Sequence, residues 1–272
     1  MNYFKLMISF FALLLSPIGV NDIQAQSNTS ANNFPKKENE LRIVSYNMQH
    51  FENANQEIEY TQAAELIKLM DADIVCLQEI DMHTKRSKQH NQMDKISDLT
   101  QMHSYFSKSI SFQGGEYGNG FLSKEKALMY KQIPLPGEEP RSAIIAEFDK
   151  YVVIATHLAL ESKEREESIE ILSKEAAKYK NKVVFLAGDL NENSLKTAFF
   201  KKLKKQWRID SADVLTFPTP VANERLDYIL TFKKGAKKVK ATQTDVIHQV
   251  KHINAALISD HFPIFCDYQF KH

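Results

Sequence analysis

The chain has 272 residues, 43% of them hydrophobic and 25% charged, with a formal net charge of +1. This is an ordinary globular balance, and a chain this long can bury a core without a disulfide scaffold. The near-neutral total excludes a protein that works by blanketing a polyanion, and the short lysine clusters KKLKK (Lys201 to Lys205) and KKGAKK (Lys233 to Lys238) read as solvated faces.

At the N-terminus Lys5 precedes an apolar run from Leu6 to Leu15, then Ser16-Pro17, and Ile23-Gln24-Ala25 offers a small-residue cleavage site. Residues 1–25 are therefore expected to be a signal peptide, with export to the periplasm or the exterior. The apolar run is short of the roughly 20 residues that span a membrane, which makes an uncleaved anchor the weaker reading. Residues 26–40 are polar and rich in Asn and Ser and are expected to be a disordered linker. One domain, residues 41–272, follows. Its two cysteines, Cys76 and Cys266, lie in apolar strand-like runs and read as buried thiols, free to pair only if those strands are neighbours.

The domain alternates strand and helix signals. LRIVSYN, DIVCLQE, SAIIAEF, YVVIATHL, KVVFLAG, LDYILTF and PIFCDYQF are rich in β-branched and aromatic residues and predict strands. Between them, NQEIEYTQAAELIKLM sets Ile58, Leu66, Ile67 and Met70 near one stripe, and SKEREESIEILSKEAAKYK sets Ile169, Leu172, Ala176 and Tyr179 likewise. NSLKTAFFKKLKKQW predicts a third helix with Asn193 or Ser194 as its N-cap. Strands covered by helices predict a layered α/β (α+β) sandwich. With eight glycines in the chain and no Gly-rich phosphate loop, a Rossmann or P-loop nucleotide fold is not expected.

The chemistry gathers at strand ends. LRIVSYN ends at Asn47, DIVCLQE at Gln78-Glu79, YVVIATHL at Thr156-His157, and KVVFLAG delivers Asp189 and Asn191. LDYILTF opens near Asp227, and PIFCDYQF is entered through Ser259-Asp260-His261. Singly, each is a turn former or a helix cap. Together they fill six strand termini, which is where active sites of layered α/β folds lie. Several carboxylates with an amide suit Mg²⁺ or Mn²⁺, whereas HExxH or Cys₂His₂ spacing for zinc and a GxSxG elbow are absent from the sequence. Acids, histidines and such a cation are equipment for attack of water on a phosphate ester.

The ordered set RIVSYNMQHF, DIVCLQEID, EYGNGFLSK, VVIATHL, FLAGDLNENS, TFPTP…ERLDYIL and SDHFPIF resembles the endonuclease/exonuclease/phosphatase superfamily, from about Leu41 to Phe270. The resemblance implies a four-layered α/β/β/α sandwich with two mixed β-sheets face to face. It implies Glu79, Asn47 and Asp260 as metal ligands, with Asp189 orienting or deprotonating the attacking water and Asn191 touching the phosphate. Asp227 and His261 would be a carboxylate–imidazole pair, with either Asp189 or His261 as the base, and His157 a donor of a hydrogen bond or proton as the ester breaks. Arg86, from HTKRSKQ, could grip a phosphate, and Tyr117 and Asn119 would line the cleft.

The leading expectation is an exported, monomeric phosphodiesterase dependent on Mg²⁺ or Mn²⁺, acting on nucleic acid, lipid or small phosphodiesters, with no stable protein partner. A phosphomonoesterase on inositol or sugar phosphates would bring a denser Lys/Arg set beside GDLNEN or SDHFP. A non-catalytic binding protein on the same fold would have lost a metal or His position, and every expected position is filled. Trp207 has no evident claim on the site, and Phe112 alone is thin support for a membrane-binding hairpin.

Overall fold

The computed structural model describes residues 34–271, so the expected signal peptide and most of the linker lie outside the described residues. Residues 34–40, the last part of that expected linker, are anchored at Phe34, Lys36 and Glu40, while the residues between are exposed. Phe34 stacks on Phe265 at 5.1 Å, Lys36 pairs with Asp73 at 2.7 Å, and Glu40 is buried.

The domain opens with β1 (Leu41–Asn47), α1 (Thr61–Leu69), β2 (Ile74–Met82) and α2 (Gln92–Thr100). Five strands follow: β3 (His103–Phe112), β4 (Gly115–Ser123), β5 (Met129–Leu135), β6 (Arg141–Glu147) and β7 (Tyr151–His157). After α3 (Ser162–Ala176) come β8 (Val183–Asp189), α4 (Ala198–Gln206), β9 (Trp207–Ile209) and β10 (Asp227–Phe232). The chain closes with β11 (Val239–Val246), β12 (Gln249–Val250), β13 (Ile253–Asn254) and β14 (Ile264–Phe270).

Two six-stranded mixed sheets result, in the orders β11-β14-β1-β2-β4-β3 and β5-β6-β7-β8-β10-β9. Their inner faces pack on each other through residues such as Ile43, Tyr268, Phe121, Phe185 and Ile229, and the same core takes in Leu66 and Ile67 of α1 and Ile96 of α2. On the far side of the second sheet, Leu186 and Leu230 meet Ile169 and Leu172 of α3 and Phe200 and Leu203 of α4. This is the four-layered sandwich that the sequence predicts.

The structure departs from the sequence reading in local ways. The first helix starts at Thr61 rather than near Asn55, because residues 53–59 fold into a turn whose Glu59 carboxylate accepts the backbone N–H groups of Thr61 and Gln62. The cap of α4 is Thr197, whose side chain accepts from the Phe200 N–H, while Asn193 reaches Glu224 instead. The sequence carries no clear strand signal for β3, β4, β5, β9, β11, β12 and β13 and no helix signal for α2. β3 and β11 are half exposed and carry polar residues on one face, which removes the apolar run. Cys76 and Cys266 sit on β2 and β14, which flank β1 rather than pair, and both thiols are free and buried. Trp207 is buried in the outer core with its indole N–H on Ser173 Oγ at 2.8 Å.

Candidate active site

Strand register builds one wall of the site. Parallel pairing sets His157 of β7 opposite Asp189 of β8, and antiparallel pairing sets Asp227 of β10 on the other side of Asp189. Along β8, Val183, Phe185 and Ala187 face the inner core while Val184 and Leu186 face the helices. Asp189 continues the inward parity, as do His157 after Val153 and Ala155, and Asp227 before Ile229. Three buried polar side chains therefore stand in a row between the sheets.

The first sheet supplies the facing wall. Asn47 ends β1 in register with Gln78. The pairing of β2 with β4 slips between Leu77 and Ile80, and within that bulge Glu79 takes a left-handed backbone with φ 60°. A bulge re-aims a side chain at a cost in strain, and here it turns the Glu79 carboxylate to Asn47. Asn47 Nδ2 donates to Glu79 Oε1 at 3.1 Å and to Asp189 Oδ2 at 3.2 Å, tying the two sheets together. The loop before β14 is fastened to the same point. Ser259 Oγ donates to the Asn47 carbonyl at 2.7 Å, and the Asp260 N–H donates to Gln49 Oε1 at 3.2 Å. Gln49, for which the sequence carries no signal, thus ties the end of β1 to the loop before β14, since its own N–H donates to Asn47 Oδ1.

The charges are strongly coupled. His261 Nδ1 lies 2.9 Å from Asp227 Oδ2, and its Nε2 lies 3.8 Å from Asp189 Oδ2. Burial alone would lower the His261 pKa, but the charge and hydrogen bond of Asp227, with Asp189 and Asp260 beyond, lift it to about 10. Burial and the neighbouring Asp227 charge push Asp189 up to about 7. Asp260 rises to about 6 through burial and, against the pull of His261, through the charge on Glu79. His157 behaves oppositely: burial, then Arg141 and His261, hold it well below the usual imidazole range. Asn191 Nδ2 contacts His157 Nε2 at 2.9 Å and also donates to the Leu158 carbonyl at 2.8 Å. The second bond fixes the amide's orientation, so His157 Nε2 accepts and carries no proton to give. The donor role expected of His157 does not fit that atom; His261 Nε2, protonated and turned toward Asp189, fits it.

A cleft of about 470 Å³ opens over this row, lined by Glu79, Tyr117, His157, Asp189, Asn191, Asp260 and His261. Seven of the expected residues therefore meet in one cavity, and Asn47 and Asp227 support it from behind. The lining adds residues that sequence reasoning missed. Arg141, the first residue of β6, is buried and lines the cleft; its Nη1 pairs with Glu139 at 3.0 Å while its Nε has no protein partner. Phe217 stacks on His261 with ring centroids 4.7 Å apart, and Leu160 and Leu226 complete an apolar side. Phe217 lay within TFPTP, a visible motif to which no role was attached.

Two expected contacts fall elsewhere. Arg86 is held bidentately by buried Asp81, at 2.8 and 2.9 Å, and lies over the rings of Phe112 and Tyr117 in an adjoining pocket. It is a neighbour of the cleft through Tyr117 and does not line it. Asn119 is buried and donates to the Ser142 carbonyl at 2.8 Å, so it braces the start of β6 beside Arg141 and does not line the cleft.

Glu79 and Asp260 both line the cleft, and the Glu79 charge adds to burial in raising the pKa of Asp260. Two oxygen ligands under like-charge repulsion fit a hard divalent cation. Asn47 is oriented as a donor to Glu79 and Asp189, with its oxygen engaged by the Gln49 N–H, so joining such a cation requires its amide to turn. The buried group Asp189, Asp227 and His261 brings three ligand atoms within 4.8 Å of one another, but there the imidazole already supplies the positive charge.

A sequence model of the Endonuclease/Exonuclease/phosphatase family matches residues 44–261. No curated protein sequence matches at a significant level. Among solved structures, an endonuclease/exonuclease/phosphatase from Bacteroides vulgatus superposes with a TM-score of 0.69 at 17% identity, covering 85% of this chain and 99% of its own. The mannosyl-6-phosphatase of Bacteroides thetaiotaomicron gives 0.63 at 17% identity, over 85% of this chain and 100% of its own. D. rerio TDP2 complexed with a single-strand DNA product gives 0.61 at 19% identity, over 85% and 99%. At these identities the likeness carries the fold.

Proposed function

Because the chain belongs to the endonuclease/exonuclease/phosphatase family, we propose that it is a divalent-metal-dependent phosphodiesterase with its reaction centre between Glu79 and His261. The observation that carries this reading is the row His157, Asp189 and Asp227 facing Glu79, Asp260 and His261 across one cleft. Mg²⁺ or Mn²⁺ held by Glu79 and Asp260 would supply charge to the phosphoryl oxygens. Asp189, with a pKa near neutral, orients the water and takes its proton. Asp227 holds Nδ1 of His261, which leaves Nε2–H to stabilise the charge developing as the ester breaks. Burial and the charges of Arg141 and His261 keep His157 neutral beside them, and Asn191 contacts its Nε2.

Diester is preferred to monoester on charge. A monoester dianion needs several cations to hold it, and among the described residues Arg141 is the one Lys or Arg side chain lining the cleft. Export by the N-terminal segment remains part of the proposal, and rests on the sequence.

The test is hydrolysis of bis-p-nitrophenyl phosphate against p-nitrophenyl phosphate. Turnover should vanish in EDTA, return with Mg²⁺ or Mn²⁺, and favour the diester. Full activity in chelator refutes the metal, and a faster monoester rate refutes the substrate class. Arg141→Ala is expected to raise KM roughly tenfold to a hundredfold, the loss of a charge-assisted contact, with a smaller fall in kcat. An unchanged KM would remove Arg141 from the binding site.

A further inference from the structure

The opposite end of the second sheet carries a charge concentration that the proposed reaction does not use. The turn after β10 and the start of β11 hold Lys233, Lys234, Lys237, Lys238 and Lys240, and Lys271 follows β14; all six are exposed. They are one surface and not merely near in sequence. The Lys271 N–H donates to the Lys238 carbonyl, and the Lys233 ammonium donates to the carbonyl of Lys204 at the end of α4, where Lys205 adds another exposed charge. Lys237, Lys240 and Lys271 converge with Arg208 on a cavity of about 430 Å³. Arg208 is neutralised by Asp210, but among the described residues no carboxylate pairs with any of the six lysines. In a chain whose formal net charge is only +1 with these lysines included, this is a strongly polarised end.

Its position decides between polyanions. Val183 opens β8 beside Gly235 of the lysine turn, and Asp189 ends the same strand in the cleft, so the two sites lie roughly 20 Å apart at opposite ends of one strand. Nucleic acid held at the lysines would have to span that distance to a cleft where, among the described residues, Arg141 is the one Lys or Arg lining it. The large exposed apolar side chains lie in other segments, so the surface also lacks the stacking platform that single strands use. A flat anionic surface has neither difficulty, because docking there leaves the cleft facing outward. We infer that the lysine-rich end, centred on Lys237, Lys240 and Lys271, docks electrostatically on an anionic phospholipid bilayer and presents the cleft away from it. Four to eight such charges suffice for binding of this kind.

The full chain is mixed with vesicles of phosphatidylcholine alone and of phosphatidylcholine with equal phosphatidylglycerol, at low and high salt. Binding is expected to the anionic vesicles only and to fall steeply with salt. The triple substitution Lys237→Gln, Lys240→Gln and Lys271→Gln should weaken it by roughly a hundredfold. Neutral vesicles report any binding carried by the apolar run near the N-terminus, which these substitutions leave untouched. Hydrolysis of bis-p-nitrophenyl phosphate should be unchanged in the triple variant, so failure of the docking and failure of the proposed reaction are read separately. Equal binding to both vesicles, no binding at low salt, or tighter binding of an oligonucleotide through the same three lysines would each overturn the inference.

Discussion

Replacing His261 with Asn should lower kcat for bis-p-nitrophenyl phosphate by roughly 10²–10⁴-fold, the usual worth of a positioned acid or base. An amide at this position keeps a donor for Asp227 but cannot carry a transferable proton. The wild-type histidine is suited to that task because Asp227 contacts its Nδ1 at 2.9 Å and keeps the ring charged until about pH 10. The stability consequence has a definite sign. A histidine whose folded pKa stands above the ordinary 6.5 contributes stability that is fully present below pH 6.5 and lost as the pH rises through about 10. The wild type should therefore exceed the Asn variant in melting temperature most clearly near pH 6, with the gap closing toward pH 10. A near-wild-type kcat would exclude His261 from the chemistry. A gap that widens with pH would contradict the charge state assigned to it.

The part of the site that could be read from the sequence is the part written in strand ends. In KVVFLAGD and YVVIATH a continuous apolar run ends on a polar residue, which puts Asp189 and His157 at strand ends from the sequence alone, while their shared inward direction follows from the sheet pairing. Asp227 and His261 were reachable in the same way, at the mouths of β10 and β14. What lay out of reach depends on backbone conformation and on register across non-neighbouring strands. Glu79 reaches Asn47 through a left-handed residue in a bulge, and Asn191 bends back to His157 at φ 51°. Glu seldom adopts such a conformation, and although Asn is enriched there, the residue type alone does not say which Asn does so. Arg141 follows Pro140 and reads as a surface cation. It faces the cleft because β5 and β7 flank β6 and because Asn119, from the other sheet, fixes the neighbouring Ser142. Arg86 fails as an expected cleft residue for a complementary reason: Asp81, buried four residues before Lys85, claims its guanidinium first.

The same coupling makes the row unstable in the form it needs for catalysis. Asn47, Gln49 and Ser259 fix the ends of β1 and β14, and Arg165 of α3 fixes the loops after β7 and β8 by donating to the Leu160 carbonyl and pairing with buried Glu192 at 3.1 Å. Asp189 is held among these supports beside a second buried carboxylate, where ionisation is penalised. A scaffold can sustain such a group only by spending stability elsewhere, in keeping with strained sites that persist because their surroundings over-determine them.

Asp189→Asn should consequently inactivate the protein and stabilise it. The activity loss should again reach roughly 10²–10⁴-fold on the diester, since the amide cannot accept a proton from water. The stability gain follows from linkage. The folded pKa of Asp189, about 7, stands above the ordinary 3.8, so its neutral form contributes stability that is complete below pH 3.8 and lost as the pH rises through 7. The variant does not ionise and keeps what the wild type loses. It surrenders one acceptor, because Asp189 takes the Asn191 N–H on one oxygen and Asn47 on the other, which costs about 1 kcal/mol and leaves a smaller net gain. In EDTA, to remove any bound cation, the variant's melting temperature should match or trail the wild type at pH 4 and exceed it at pH 8. The rise should be roughly 2–4 °C for each kcal/mol gained in a domain of this size. An inactive variant that is also less stable at pH 8 would show that the Asp189 charge supports the fold, and would return Asp189 from the reaction to the architecture.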